Sequence, residues 1–434
     1  MPRSQGDRLV GWQVVTGVAL LVGYAGYYIC RSDLSVAMPA MLADPAAGLD
    51  RYGIGLVTSA GVVAYAVGKS LTGVAGDFLS GRVLFLGGLF LSVGATLAFS
   101  TSEGLPWLLT WWMVNRFVQS AGWAGLTKTA SHWYPASRYG TVMSLLALSY
   151  LFGDAVGRYV LGIRMAQGGT WQGLFSFAAG VLALVGIGVA CVLRGSPRDV
   201  GLPEPAVSRA NLFGDAGSQS VPTGVRDLLQ PYLISRPFWM VCGMSCGMTL
   251  IREAFNTWIP VYLVDAHQLA PEAAARYSAL FPFVGGASAI LVGILTDRRG
   301  LGNRVSVIVP SMLLCVAALV ALAWGTVRHD LPVSMAAIAA TAFALLGPYT
   351  LLSGAIALDM GGRKGSATAA GLIDTAGYAG GVLSGVAVGR LAEFQGWAVV
   401  FVALAVLAAC VMVMAANYCM EQRRRLWRPQ PGLL

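Results

Sequence analysis

The chain has 434 residues, 56% of them hydrophobic and 11% charged, with a formal net charge of +9. A soluble domain carries about 25% charged residues, so an ordinary soluble enzyme or nucleic-acid-binding domain is excluded. Mean hydropathy is +0.67, and apolar runs long enough to cross ~30 Å of hydrocarbon follow one another along the chain.

The first stretch, "MPRSQGDRLVGWQVV", carries two arginines. The apolar run after it is too long for a signal-peptide core, and no small-residue cleavage site follows. It reads as an uncleaved first span. Twelve spans are expected, at 11–41, 53–75, 82–100, 105–127, 139–163, 171–194, 237–264, 277–296, 303–325, 332–358, 365–391 and 396–419. The runs are continuous rather than alternating, which argues against a β-barrel. Residues 195–236 are rich in Gly, Pro and Ser and read as a linker with one short helix. The expected organisation is an N-terminal bundle at 1–194, a cytoplasmic linker at 195–236, and a C-terminal bundle with a basic tail at 237–434. The seven cysteines lie in or at the ends of apolar runs and read as small hydrophobes. No metal or cofactor is expected.

Orientation follows from Lys and Arg in the loops. With the N-terminus inside, 19 of the 29 basic residues fall in inner loops and 5 in outer ones. Both termini are therefore expected in the cytoplasm. The remaining 5 lie within spans: Arg31, Lys69, Arg116, Arg158 and Arg252.

The halves repeat. "GDFLSGR" (76–82) matches "TDRRGLGNR" (296–304) in position, so Asp77 and Asp297 are 220 residues apart. Arg31 and Arg252 are 221 apart, and "RYGT" (138–141) precedes "RKGS" (363–366) by 225. Two six-helix halves in parallel, with a site at the midplane between them, are the major facilitator arrangement. The fold expected is therefore all-α membrane, with twelve transmembrane helices in two pseudo-symmetric six-helix bundles. The loop motifs at Asp77, Arg82 and Asp297 read as latches of cytoplasmic helix ends.

A charge at mid-membrane costs roughly 3 kcal/mol, so the five must face protein or water. Arg31 could snorkel to the outer surface, but apolar sequence continues to Met41. Arg252 lies too deep in its span to reach a surface. Tyr24, Tyr28 and Arg31 are spaced i, i+4, i+7 and share one helix face, as Tyr65 and Lys69 do. Tyrosine hydroxyls with a guanidinium fork suit an oxygen-rich anion. Arg31 and Arg252, from symmetry-related helices, would grip a phosphate from both sides. Aromatic stripes on helices also serve simply as core packing. Asp154 and Arg158, at i, i+4, read as an intramembrane ion pair, and Arg116 as a further member of that cluster. Glu253 points elsewhere on its helix than Arg252, and Asp33 neutralises a neighbour near the outer end of its span. Asp374 has no basic residue at i±3 or i±4 and is a functional candidate. His132, His267 and His329 lie near span ends or in loops, with no nucleophile–base grouping, so no enzyme is expected.

At these residues the chain resembles a known family. "GYAGYYICRSDLSVAMP" followed by "GLVTSAGVVAYAVGKSLTGVAGDFLSGR" is similar to the organophosphate:phosphate antiporters of the major facilitator superfamily. "GMTLIREAFNTWIPVYL" resembles their seventh helix and "GSATAAGLIDTAGYAGG" their eleventh. The resemblance runs through both halves. It implies that Arg31 and Arg252 hold the phosphate, that Lys69 is the basic residue of the second helix, and that Tyr24, Tyr28, Tyr65 and Tyr378 line the cavity. The implied activity is exchange of an organic phosphate ester, of the sugar-phosphate or glycerol-3-phosphate class, for inorganic phosphate by rocker-switch alternating access. A monomer in the bacterial inner membrane, with the bilayer and these small molecules as its partners and no nucleic acid, is expected.

The chain departs from that pattern. Ser149 stands where the bacterial glycerol-phosphate exchangers have a histidine, and Thr257 and Pro282 where they have acidic residues. The repeat makes Asp374 the counterpart of Ser149, 225 residues on. Asp374 would accept substrate hydroxyls or carry a coupling proton. Two other readings remain open: a receptor of the same fold that senses a phosphate ester, and a proton-coupled carrier of another organic anion.

Overall fold

The computed structural model describes residues 5–45, 49–207, 211–298 and 304–426. Arg3, Arg209, Arg299 and Arg428, counted above for orientation, lie outside them. The regular structure of the described residues is helical. The first seven helices are α1 (Gln5–Ala43), α2 (Arg51–Phe78), α3 (Gly81–Ser100), α4 (Leu105–Gln119), α5 (Ala121–Trp133), α6 (Tyr139–Ala166) and α7 (Trp171–Val192). After α8 (Val225–Leu233) come α9 (Arg236–His267), α10 (Pro271–Ser278), α11 (Leu280–Arg298) and α12 (Ile308–Arg328). The chain ends with α13 (Leu331–Leu351), α14 (Ala357–Gln395) and α15 (Trp397–Leu426).

Side-chain caps start many of these helices where the sequence changes from polar to apolar. Asp50 accepts the Gly53 N–H of α2, Ser80 the Val83 N–H of α3, and Thr170 the Gly173 N–H of α7. Ser235 and Asp330 cap α9 and α13, each with a proline in the first turn. Proline there gives up only an N–H that has no helical partner.

Nine helices among the described residues are long and apolar enough to cross a membrane. One of these extends from Leu331 to Gln395, through a π-turn and a kink, and holds two of the expected spans. The expected span at 105–127 is split into α4 and α5 at Ser120, and α5 continues to Trp133. The expected loop between the tenth and eleventh spans is helical. A π-turn at Leu352–Ile356, non-helical at Gly354, leads into α14, where Gly362 departs from helical backbone with φ 57° and ψ −149°. That region is open to glycine and costly for other residues. The turn is polar yet stays ordered because Asp359, Arg363 and Lys364 are all buried against other protein groups.

By contacts the chain divides into two compact units. The first comprises Met1–Ala136, Leu145–Leu229 and Gly361–Leu372, and the second Ser137–Ser144, Gln230–Met360 and Ile373–Leu434. Each unit thus takes one short segment from the opposite half of the sequence. In the first, α1 packs on α7, α2 on α4, and α3 on α4, α5 and α7. In the second, α12 packs on α13 and α15, α11 on α13, and α9 on α15.

Glycines allow the borrowed segments to dock. A Cβ at Gly73 of α2 would lie 2.8 Å from the Ala367 carbonyl. In the second unit a Cβ at Gly293 of α11 would lie 2.7 Å from the Gly140 carbonyl. Gly73 stands four residues before Asp77 and Gly293 four before Asp297, so the internal repeat extends to backbone packing.

Candidate functional site

In the first unit the site is built on a kink. Cys30 of α1 has non-helical angles, φ −80° and ψ 15°. Its carbonyl accepts from Gln119 Nε2 at 2.9 Å and Asn115 Nδ2 at 3.4 Å. The Leu34 N–H, ordinarily the helical donor to that carbonyl, donates to Asp33 Oδ1 at 2.7 Å. Side chains that enter the helical ladder in this way bend a helix. Ser92 supports the arrangement by donating to Asn115 Oδ1 at 2.6 Å.

Arg31 follows the kink directly. Its guanidinium lies 4.4 Å from the Tyr65 ring centroid and 4.8 Å from that of Tyr28, and Nη1 donates to the Tyr28 hydroxyl at 3.2 Å. Lys69 Nζ is 5.2 Å from the same Tyr65 ring and 6.0 Å from Trp123. Tyr24 packs against Tyr28 and Trp123 with centroids 5.6 and 5.4 Å away. Tyr24, Tyr28, Tyr65, Arg31 and Lys69 therefore form one group, as their spacing suggests. The electron-rich ring faces hold the cations without neutralising them.

Arg116 belongs to this group. Its guanidinium lies 4.7 Å from the Tyr65 centroid, and Nη1 donates to Gln119 Oε1 at 3.3 Å. Gly61 makes room for it: a Cβ there would meet Arg116 Cγ at 3.0 Å. The expectation that Arg116 joins Asp154 and Arg158 is thus replaced by its place on the Tyr65 ring. Those two do pair, with Arg158 Nε 2.9 Å from Asp154 Oδ2. Asp154 also accepts the Ser32 hydroxyl at 2.6 Å, and Arg158 donates to Ser35. The i, i+4 spacing predicted the pair, but chain position alone could not assign Arg116.

In the second unit Arg252 of α9 lies 4.7 Å from the Tyr349 ring centroid. It thus sits on a tyrosine, as Arg31 does. Glu253 was expected to point away, yet it forms an ion pair with Arg252. Adjacent side chains can bend toward each other where opposite charges share a poorly solvated site. Tyr349 was not anticipated; the signal was a lone tyrosine after Pro348 in an alanine-rich span. Asp374 and Tyr378 stand one turn apart on α14, both partly buried. Ser149 is fully buried, and its hydroxyl donates to the Leu146 carbonyl of its own helix.

The expected latch residues are engaged, each with backbone N–H groups from the other half of the sequence. Asp77 is fully buried, pairs with Lys128 at 3.0 Å, and accepts the Thr368 N–H at 2.8 Å and the Ala367 N–H at 3.3 Å. Asp297 accepts the Gly140 and Thr141 N–H groups at 2.8 and 2.7 Å and pairs with Arg304, which also binds Asp359. The Asp297 carboxylate thus sits at the first turn of α6, where negative charge is favoured. Arg82 instead donates to the Ala190 carbonyl at 2.9 Å.

The linker adds a hub invisible in the sequence. Glu204 pairs with His132 at 2.9 Å and with Arg198 and Arg363 at 3.0 Å each. Burial opposes the Glu204 charge, but the His132 hydrogen bond with Arg363 and Arg198 holds its pKa below the usual carboxylate range. Lys364 pairs with Asp227 at 2.7 Å and holds that carboxyl down to about 2. No group of three His, Cys, Asp or Glu placed to hold a metal occurs among the described residues.

A family profile, "Major Facilitator Superfamily", matches residues 20–347 and 278–432. The chain belongs to the Major Facilitator Superfamily. Its all-α, multi-pass membrane architecture is the one expected from the repeat. Among superfamily relatives is a "Probable hexose phosphate transport protein" of Chlamydia pneumoniae, 25% identical over 93% of this chain and 90% of its own. The "Glycerol-3-phosphate transporter" of Bacillus subtilis is 26% identical over 84% and 82%. The "Membrane sensor protein UhpC" of Salmonella typhimurium is 24% identical over 95% and 93%. These are the relatives expected from the organophosphate:phosphate antiporter motifs. Among solved superfamily structures, the proton:xylose symporter XylE bound to 6-bromo-6-deoxy-D-glucose matches with a TM-score of 0.72 at 11% identity. That match covers 96% of this chain and 100% of the other, and at such identity it bears on fold alone.

Proposed function

We propose that this chain carries a phosphate ester across the membrane in exchange for inorganic phosphate. The observation that carries this reading is the gathering of Arg31 and Lys69 on the buried Tyr65 ring. The aromatic faces and the Tyr28 hydroxyl position a guanidinium and an ammonium together, the groups that bind phosphate oxygens most strongly. In the second unit Arg252, on the Tyr349 ring and paired with Glu253, offers a second guanidinium suited to phosphate oxygens. The names of the relatives support the same substrate class.

Exchange has a physical cause in this reading. Changing conformation with several cations in a dry site and no anion is costly, and bound phosphate offsets that cost. The buried latches at Asp77 and Asp297 close the cytoplasmic side and open in a rocker-switch cycle. Asp374, with Tyr378 one turn away, accepts the hydroxyls of the organic part. The protein works as a monomer in a bacterial inner membrane with both termini in the cytoplasm.

The sensor reading is favoured by one observation, the nearly full-length match to a membrane sensor protein. Uptake of labelled phosphate into liposomes loaded with inorganic phosphate separates the two. Exchange that is lost in Arg252→Ala supports the carrier. Binding of a phosphate ester without any exchange would replace it with the sensor.

A further inference from the structure

Asp33 is fully buried in α1. Oδ1 accepts the Leu34 N–H at the Cys30 kink, and Oδ2 has no hydrogen-bond partner among the described residues. The sequence suggested a carboxylate near the outer end of its span that neutralises a neighbour. The structure shows one sealed in the helix core, two residues after Arg31.

A buried carboxylate with an unmet oxygen is costly in its ionised form and far less so with a proton. One positive charge, Arg116 of α4, acts on it electrostatically. Arg116 does not reach Asp33 as an ion pair; it is turned to Gln119 and to the Tyr65 ring that also carries Arg31 and Lys69. A charge on Asp33 therefore depends on Arg116, which shares the Tyr65 ring with Arg31 and Lys69, so an anion drawn to that ring would offset part of the Arg116 field.

Other charges near α1 are accounted for. Arg31 and Lys69 belong to the group itself. On α6, Asp154 is paired with Arg158 and accepts the hydroxyl of Ser32, next to Asp33. Helix α7 carries no charged residue, and the one on α3, Arg82, binds the Ala190 carbonyl in its first turn. On α5, Lys128 and His132 are engaged by Asp77 and Glu204. The Cys30 thiol, buried beside the kink, completes the neighbourhood.

We propose that Asp33 takes up a proton when an anion binds at the Arg31–Lys69–Tyr65 group and releases it when the anion leaves. The step balances simply. The anion weakens the positive field at Asp33, a proton from water bonds to Oδ2, and anion and proton cross together. On the other side the O–H bond breaks and the proton returns to water. The proposal rests on the phosphate reading above.

The test is calorimetry of inorganic phosphate binding to the purified protein in lipid nanodiscs. It is run in buffers of different ionisation enthalpy for wild type and Asp33→Asn. Asparagine keeps an oxygen for the Leu34 N–H and cannot titrate. Both proteins meet the same phosphate, so its own ionisation cancels in the comparison. The wild type is expected to take up more protons than D33N. Its affinity relative to D33N should fall as pH rises, by at most about tenfold per pH unit. Equal proton uptake and a constant ratio would overturn the proposal alone. No phosphate binding to wild type would overturn the phosphate reading and this one with it. Should D33N not fold, infrared difference spectra of wild type give a second measure. A protonated-carboxyl band that grows on phosphate addition supports the proposal, and none refutes it.

Discussion

Asp77 and Thr368, 291 residues apart, are joined by a 2.8 Å hydrogen bond from the Thr368 N–H to the Asp77 carboxylate. The same carboxylate is paired with Lys128, and both side chains are almost fully buried. One acid thus ties α14 to an N-terminal lysine. Its repeat partner Asp297 does the equivalent for Gly140 and Thr141 with Arg304.

Asp77→Asn should be strongly destabilising. Removing one member of a buried ion pair leaves the other charge uncompensated, at a cost of about 3–5 kcal/mol. Thermal unfolding in detergent is expected to show a large drop for D77N. The double variant with Lys128→Met should recover much of it, since no orphan charge remains. A D77N protein as stable as wild type would mean the pair contributes little.

Arg31→Lys should impair phosphate exchange although the charge is kept. Lysine offers a point charge and cannot form the planar fork. Charge-assisted hydrogen bonds contribute about 1.5–3 kcal/mol, so a loss of roughly tenfold or more in phosphate affinity is expected. Competition binding of inorganic phosphate measures it, and equal affinity would remove Arg31 from the site.

Tyr65 tests the ring. Tyr65→Phe keeps the face that Arg31, Lys69 and Arg116 share, so phosphate affinity should stay near wild type. Tyr65→Leu removes that face, worth about 0.5–2 kcal/mol per cation, and affinity should fall several-fold. Parallel titrations of the two variants decide the point; identical behaviour would mean the tyrosine serves only as packing.

The linker hub should be pH-sensitive. Glu204 has its pKa held down in the docked state, so its contribution is present above the ordinary glutamate value, about 4.3, and is lost as pH falls through the lowered one. Burial likewise lowers the pKa of His132, beyond the expected span at 105–127. Docking therefore weakens as pH falls below the ordinary histidine value, about 6.5, toward the lowered one. Hydrogen-exchange protection of residues 197–207, corrected for intrinsic rates, should decline on acidification. Glu204→Gln should show low protection already at neutral pH.

Asp374→Asn should change which organic phosphates compete best with inorganic phosphate, because a strong acceptor for hydroxyls is replaced by a weaker one that also donates. A panel of sugar phosphates and glycerol-3-phosphate gives the ranking. An unchanged ranking and an unchanged pH profile would take Asp374 out of substrate recognition.

The spans, the repeat and the intrahelical spacings were readable along the chain because apolar length and i, i+4 periodicity are local properties. They placed Tyr24, Tyr28 and Arg31 on one face and paired Asp154 with Arg158. What they could not decide was which charges meet across helices. Arg116 on Tyr65, Glu253 on Arg252, Lys128 on Asp77 and Glu204 on Arg363 all depend on packing between segments distant in sequence or on a rotamer set by it. The two latches gave no sign that their acids bind backbone N–H groups from the opposite half of the sequence. A side chain's charge is written in the sequence. Its partner is chosen where burial removes water and leaves only the donors and acceptors that the fold brings within about 3 Å.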